Sequence, residues 1–129
     1  MKQFIIGYHH CGLPTCDMAA TIDFYRKLGA EIVFETLVTE EGQPCRVVHL
    51  LVANLYIEAY ERARITGETG AIDHLAISTD DIEGAFAEAK RLGLPFVKEE
   101  IGVTDYWPGT VRWFHLAGPS GEHIEFTQG

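Results

Sequence analysis

The feature that most constrains this chain is an internal repeat. The segment "YHHCGLPTCDMAATIDFYRKLG" near the start returns as "IDHLAISTDDIEGAFAEAKRLG" 64 positions later. That offset sets His10 on His74, Leu13 on Ile77, Asp17 on Asp81, Met18 on Ile82, and Lys27 to Gly29 on Arg91 to Gly93. In each copy a β-like run precedes an Asp suited to capping a helix N-terminus, and apolar residues follow at helical spacing. These are Met18, Ile22, Tyr25 and Leu28 in one copy, and Ile82, Phe86, Ala89 and Leu92 in the other. A glycine, Gly29 or Gly93, stands where a left-handed C-terminal cap belongs. Three β-type runs then follow: "EIVFETLV", "CRVVHLLV" and "LYIEAY" in the first half, "PFVKEEIGV", "VRWFHLA" and "EHIEFTQ" in the second. The order predicts an α+β fold of two tandem βαβββ modules, residues 1–60 and 71–129, joined by the polar stretch 61–70. At 129 residues the chain has the size of one domain, in which half-size modules share a core.

Charge narrows the partners. Ten basic and 19 acidic residues give a net charge of −9, which repels nucleic acid and anionic membrane surfaces. No apolar run reaches the length of a bilayer span, and the N-terminus lacks the pattern of a signal peptide. Cys11, Cys16 and Cys45 are odd in number and without CxxC spacing, as expected of free thiols in the cytoplasm.

Strand parity selects candidate site residues. Leu75 and Ile77 alternate with His74, Ala76 and Ser78, and the first copy repeats the pattern with Cys11 and Leu13 against His10, Gly12 and Pro14. In the last strand of each half, Ile57 and Ala59 alternate with Glu58, and Ile124 and Phe126 with Glu125. Each half therefore offers one His and one Glu on the face away from its helix. Where such faces curve together, two imidazoles and two carboxylates converge.

At these residues the chain resembles the vicinal oxygen chelate superfamily, whose members include glyoxalase I, epimerases, extradiol dioxygenases, fosfomycin resistance proteins and bleomycin resistance proteins. The ending "FHLAGPSGEHIEFTQ" is similar to the family's F-x-DPDGN-x-IEL pattern, with Gly118 and Ser120 where that pattern has Asp. The resemblance implies a cupped mixed sheet around one divalent metal ion, Ni, Co, Zn or Mn, with ligands at His10, Glu58, His74 and Glu125. Two His with two Glu look most like glyoxalase I, a lactoylglutathione lyase. The function it implies is a lyase or isomerase acting on a hemithioacetal-like substrate through a metal-bound enediolate, with Glu125 or Glu58 moving the proton. The position where glutathione-dependent members carry Arg is Pro14 here, which argues against that thiol. Small glyoxalase-like members share sites between chains, so a homodimer is expected. Two alternatives stand beside this reading: another metalloenzyme of the fold (thiol transferase, epimerase or dioxygenase), and a metal-free protein that sequesters a drug or metabolite.

Further candidates surround the four ligands. Arg112 is the nearest cation for an anionic substrate, and His115, Trp113 and His123 are candidate pocket residues. His49 and His115 occupy related places in the third strand of each copy, either in the pocket wall or on a hydrogen-bonded sheet face. The segment from Gly102 to Trp113 is the largest asymmetry between the halves and reads as a flap or a hairpin.

Overall fold

The computed structural model describes the backbone of residues 1–129 and the side chains of all but Tyr106 and Trp107. The chain forms two compact units, Met1–Ile65 and Thr66–Gly129, and the division falls inside the polar stretch 61–70. In the first unit, β1 (Cys11–Thr15), α1 (Met18–Lys27), β2 (Glu31–Glu40), β3 (Gln43–Val52) and β4 (Leu55–Glu61) build a four-stranded sheet in the order β1-β4-β3-β2. The second unit repeats this with β5 (His74–Ser78), α2 (Ile82–Arg91), β6 (Gly102–Trp107), β7 (Gly109–Ala117) and β8 (His123–Gln128), in the order β5-β8-β7-β6. In both sheets the first strand pairs parallel with the last and the other pairs are antiparallel. This is the βαβββ order expected from the repeat. No described helix is long and apolar enough to cross a membrane.

The repeated residues act as their chemistry requires. Asp17 accepts a hydrogen bond from the Ala20 N–H at 2.9 Å and Asp81 one from the Gly84 N–H at 2.9 Å, so both are N-caps. Gly29 and Gly93 have φ of 96° and 66°. Beyond them the Ala30 N–H reaches the Tyr25 carbonyl at 2.9 Å and the Leu94 N–H the Ala89 carbonyl at 3.0 Å. These are the bonds of a Schellman motif, which need a left-handed residue between helix and exit. Each helix covers one face of its own sheet. Tyr25 of α1 is buried together with Val48, Leu50 and Ile57 of its sheet, and Ile82 of α2 with Phe114, Leu116 and Ile124. Phe114 stacks on Phe126 with centroids 5.1 Å apart and meets Phe86 edge-on at 5.3 Å.

One strand lies elsewhere than expected. "PFVKEE" is not part of β6; Phe96 makes only an isolated bridge to Leu116. Pro95 has no N–H to offer a ladder, and Lys98 and Glu99 turn outward into ion pairs with Glu100 and Lys90. The strand is instead "GVTDYW", so the segment read as a flap or hairpin is the β6–β7 hairpin.

Candidate metal centre

Parity and register bring a histidine and a glutamate together in each unit. In the second unit Ala76 is the direct partner of Glu125 across the parallel β5–β8 pair. His74, two residues earlier on the same face, reaches Glu125 with Nε2 3.7 Å from Oε2. Across the antiparallel β7–β8 pair His115 is the register partner of Glu125, and its Nε2 donates to the same Oε2 at 2.8 Å. Ligand atoms of His74, His115 and Glu125 all lie within 4.8 Å of one another. His74 Nδ1 is held 2.9 Å from Asp73 Oδ2. That hydrogen bond draws the Asp73 carboxyl below its ordinary range and leaves Nε2 free to act.

The first unit repeats the arrangement. His10 Nε2 is 3.9 Å and His49 Nε2 3.4 Å from Glu58 Oε2. His49 faces Glu58 in the β3–β4 register, and its Nδ1 meets the Tyr56 hydroxyl at 2.8 Å. The backing of the first histidine differs, because the residue equivalent to Asp73 is His9. His9 Nδ1 lies 2.7 Å from His10 Nδ1, a contact that requires one ring to donate and the other to accept.

These donors suit a divalent transition ion. Two neutral imidazole nitrogens and a carboxylate oxygen form a mixed N/O set, and metal–ligand bonds of about 2.0–2.2 Å place neighbouring donor atoms roughly 3–3.5 Å apart. The 3.7 Å from His74 Nε2 to Glu125 Oε2 lies just beyond that range, while the His115 N–H is engaged with the same carboxylate oxygen. A cavity of about 800 Å³ opens beside this cluster, with Thr104, Val111, Trp113 and Thr127 in its wall.

His74 and Glu125 thus meet within one unit, as do His10 and Glu58 within the other. Trp113 and His115 both line the cavity. His123 lies beside them, its ring stacked on His115 with centroids 6.0 Å apart. Arg112 lies elsewhere: it shares the strand phase of buried Phe114 and Leu116, and its guanidinium is paired with Glu83 of α2 at 2.5 Å. It is not among the residues lining the cavity. Strand alternation sends it to the helix face. What sequence reasoning missed is the approach of His115 and His49 to the two carboxylates, a hydrogen bond of 2.8 Å at Glu125 and a contact of 3.4 Å at Glu58. The signal available was their recurrence 66 positions apart on the same face as Glu58 and Glu125.

A family model described as Glyoxalase/Bleomycin resistance protein/Dioxygenase superfamily matches residues 7–126. The Bacillus subtilis (strain 168) protein named "Uncharacterized protein YwbC" is 32% identical over 130 residues, covering 92% of this chain and 94% of that one. Among solved structures, a glyoxalase family protein from Enterococcus faecalis superposes with a TM-score of 0.80 at 21% identity, covering 97% of this chain and 99% of its own. The fosfomycin resistance protein FosX from Listeria monocytogenes, solved with Mn(II) and sulfate, gives 0.73 at 19% identity over 98% and 94%.

Proposed function

The chain belongs to the glyoxalase/bleomycin resistance protein/dioxygenase superfamily, and from that premise we propose that it is a metal-dependent isomerase or lyase of glyoxalase type. Its substrate is a small molecule with adjacent oxygens, hemithioacetal-like in structure. His10, Glu58, His74 and Glu125 hold one divalent ion, Ni, Co, Zn or Mn, in sites shared between the chains of a homodimer. The observation that carries the reading is the repeated His–Glu pair, 3.9 Å apart in one unit and 3.7 Å in the other. The solved FosX with Mn(II) supports metal use on this fold.

When bound, the ion supplies Lewis-acid polarisation of the two oxygens. The chain's own groups do the rest. Glu125 accepts the proton from the carbon bearing hydroxyl and sulfur, then returns it to the neighbouring carbonyl carbon. The hydroxyl proton passes to the former carbonyl oxygen. The net change is an isomerisation from a hydroxy-thioether ketone to a hydroxy thioester, with no oxidant required. The His115 N–H, 2.8 Å from Oε2, holds the carboxylate at its post.

The test is metal content after purification without chelator, followed by thioester formation from 2-oxoaldehydes and a panel of thiols. Metal uptake with metal-dependent isomerisation is the expected result. A protein that takes up none of the four metals refutes the proposal and favours the sequestering alternative.

A further inference from the structure

Resting on the reading that His74 and Glu125 hold the ion, we infer that this site selects a substrate whose adjacent oxygens carry a flat, uncharged, apolar group, with Trp113 as the residue that selects it. Three observations lead there. The first is size. A cavity of about 800 Å³ lies in the upper part of the range usual for drug-sized ligands, far beyond what a three-carbon substrate fills.

The second is the way Trp113 is held. Gly102 is its direct cross-strand partner, and a Cβ placed on Gly102 would come 2.6, 2.7 and 3.0 Å from three atoms of the indole's six-membered ring. Near-equal distances to adjacent ring atoms mean approach through the ring face, so the indole lies flat against the β6 backbone where only glycine leaves room. Its Nε1–H donates to Thr104 Oγ1 at 3.3 Å, and His115 packs beside it at 5.0 Å between centroids. An indole pinned on one face and held at its N–H loses little freedom on binding, which is what a stacking platform needs.

The third is charge. Among the described residues lining the cavity there is no Lys or Arg, and the one carboxylate side chain is Glu125. Arg112 is spent on Glu83. A divalent ion held by Glu58 and Glu125 carries no net charge in excess of its ligands, so this wall of the site offers an anionic substituent no cationic side chain. Val111 and Trp113 instead present apolar surface beside Thr104 and Thr127.

The experiment uses hydroxamic acids, which share one bidentate oxygen pair and differ only in their substituent. Binding of acetohydroxamic, cyclohexanecarbohydroxamic, benzohydroxamic and 4-carboxybenzohydroxamic acid to the cobalt-loaded full chain is measured by calorimetry. The phenyl compound is expected to bind roughly tenfold tighter than the methyl and at least about threefold tighter than the cyclohexyl. The carboxylate should erase most of that gain. Trp113→Leu should remove the preference for the flat ring. Gly102→Ala, which lifts the indole without deleting it, should weaken that preference too, so the result does not hang on one variant's folding. Equal affinity for flat and saturated rings, or a ring preference that survives both variants, overturns the inference while leaving the metal reading intact. Benzyl alcohol, a ring without the oxygen pair, separates the two. If the chain takes up no metal yet binds benzyl alcohol in a Trp113-dependent way, the platform stands and the metal reading fails. If no probe binds, the platform is overturned.

Discussion

Removing the His115 imidazole tests whether the bond to Glu125 supports metal binding. His115→Ala deletes a hydrogen bond of 2.8 Å to a carboxylate whose side chain is only 15% exposed, from a ring that is 18% exposed. A hydrogen bond to a charged group in such a setting has a net worth of about 1.5–3 kcal/mol. Since about 1.4 kcal/mol corresponds to tenfold, the loss in metal affinity should be roughly 10- to 100-fold, the range seen when groups that orient metal ligands are removed. The repeat supplies an internal comparison. His49 stands 3.4 Å from Glu58, whose side chain is 36% exposed, so His49→Ala should cost no more than about tenfold. The assay is competition of cobalt between the protein and a chromogenic chelator, with His123→Ala as a neighbour that makes no hydrogen bond to Glu125 among those described. A His115→Ala affinity within about twofold of the parent would refute the reasoning. A larger loss at His49 than at His115 would refute the ranking by distance and burial.

The carboxylates are separated by comparing Glu125→Gln and Glu58→Gln at full metal occupancy: Glu125→Gln should abolish turnover more than it weakens substrate binding, and near-parent rates in both would exclude a carboxylate base. Mixing His10→Ala with His74→Ala should restore activity after subunit exchange, because one site of a mixed dimer then carries both lesions and the other neither; confirmed exchange without recovery would place each site within one chain. Metal removal with a chelator should lower the thermal midpoint, and equal midpoints with and without cobalt would contradict a resident ion. Asp17→Ala and Asp81→Ala should each destabilise the chain by about 1 kcal/mol, read in urea unfolding, because each removes one N-cap bond of 2.9 Å; an unchanged midpoint for both would show that the caps are satisfied otherwise.

What the sequence determined by itself is what depends on near neighbours along the chain. The caps at Asp17 and Asp81 reach three residues ahead, and the Schellman bonds after Gly29 and Gly93 close within six, so both helices begin and end where the repeat places them. The two-residue period of a strand likewise sends His74 and Glu125 to one face and Ile124 to the other. It also sends Arg112 to the phase of Phe114 and Leu116; only its charge suggests the pocket, and the helix carboxylate Glu83 claims it. The tertiary structure decided what depends on pairing between distant segments. Which run becomes β6 is settled by the β6–β7 hairpin, where "GVTDYW" pairs along β7 and the Pro95 segment makes only the isolated Phe96–Leu116 bridge. The meeting of His115 with Glu125 rests on the β7–β8 register, and a slip of one residue would carry the imidazole to the other face. The flat seating of Trp113 on Gly102 rests on the same kind of register across β6 and β7. Alternation along a strand is a local property and can be read from the residues, whereas register is set by closing loops and burying whole faces together, so it exists only once the sheet has formed.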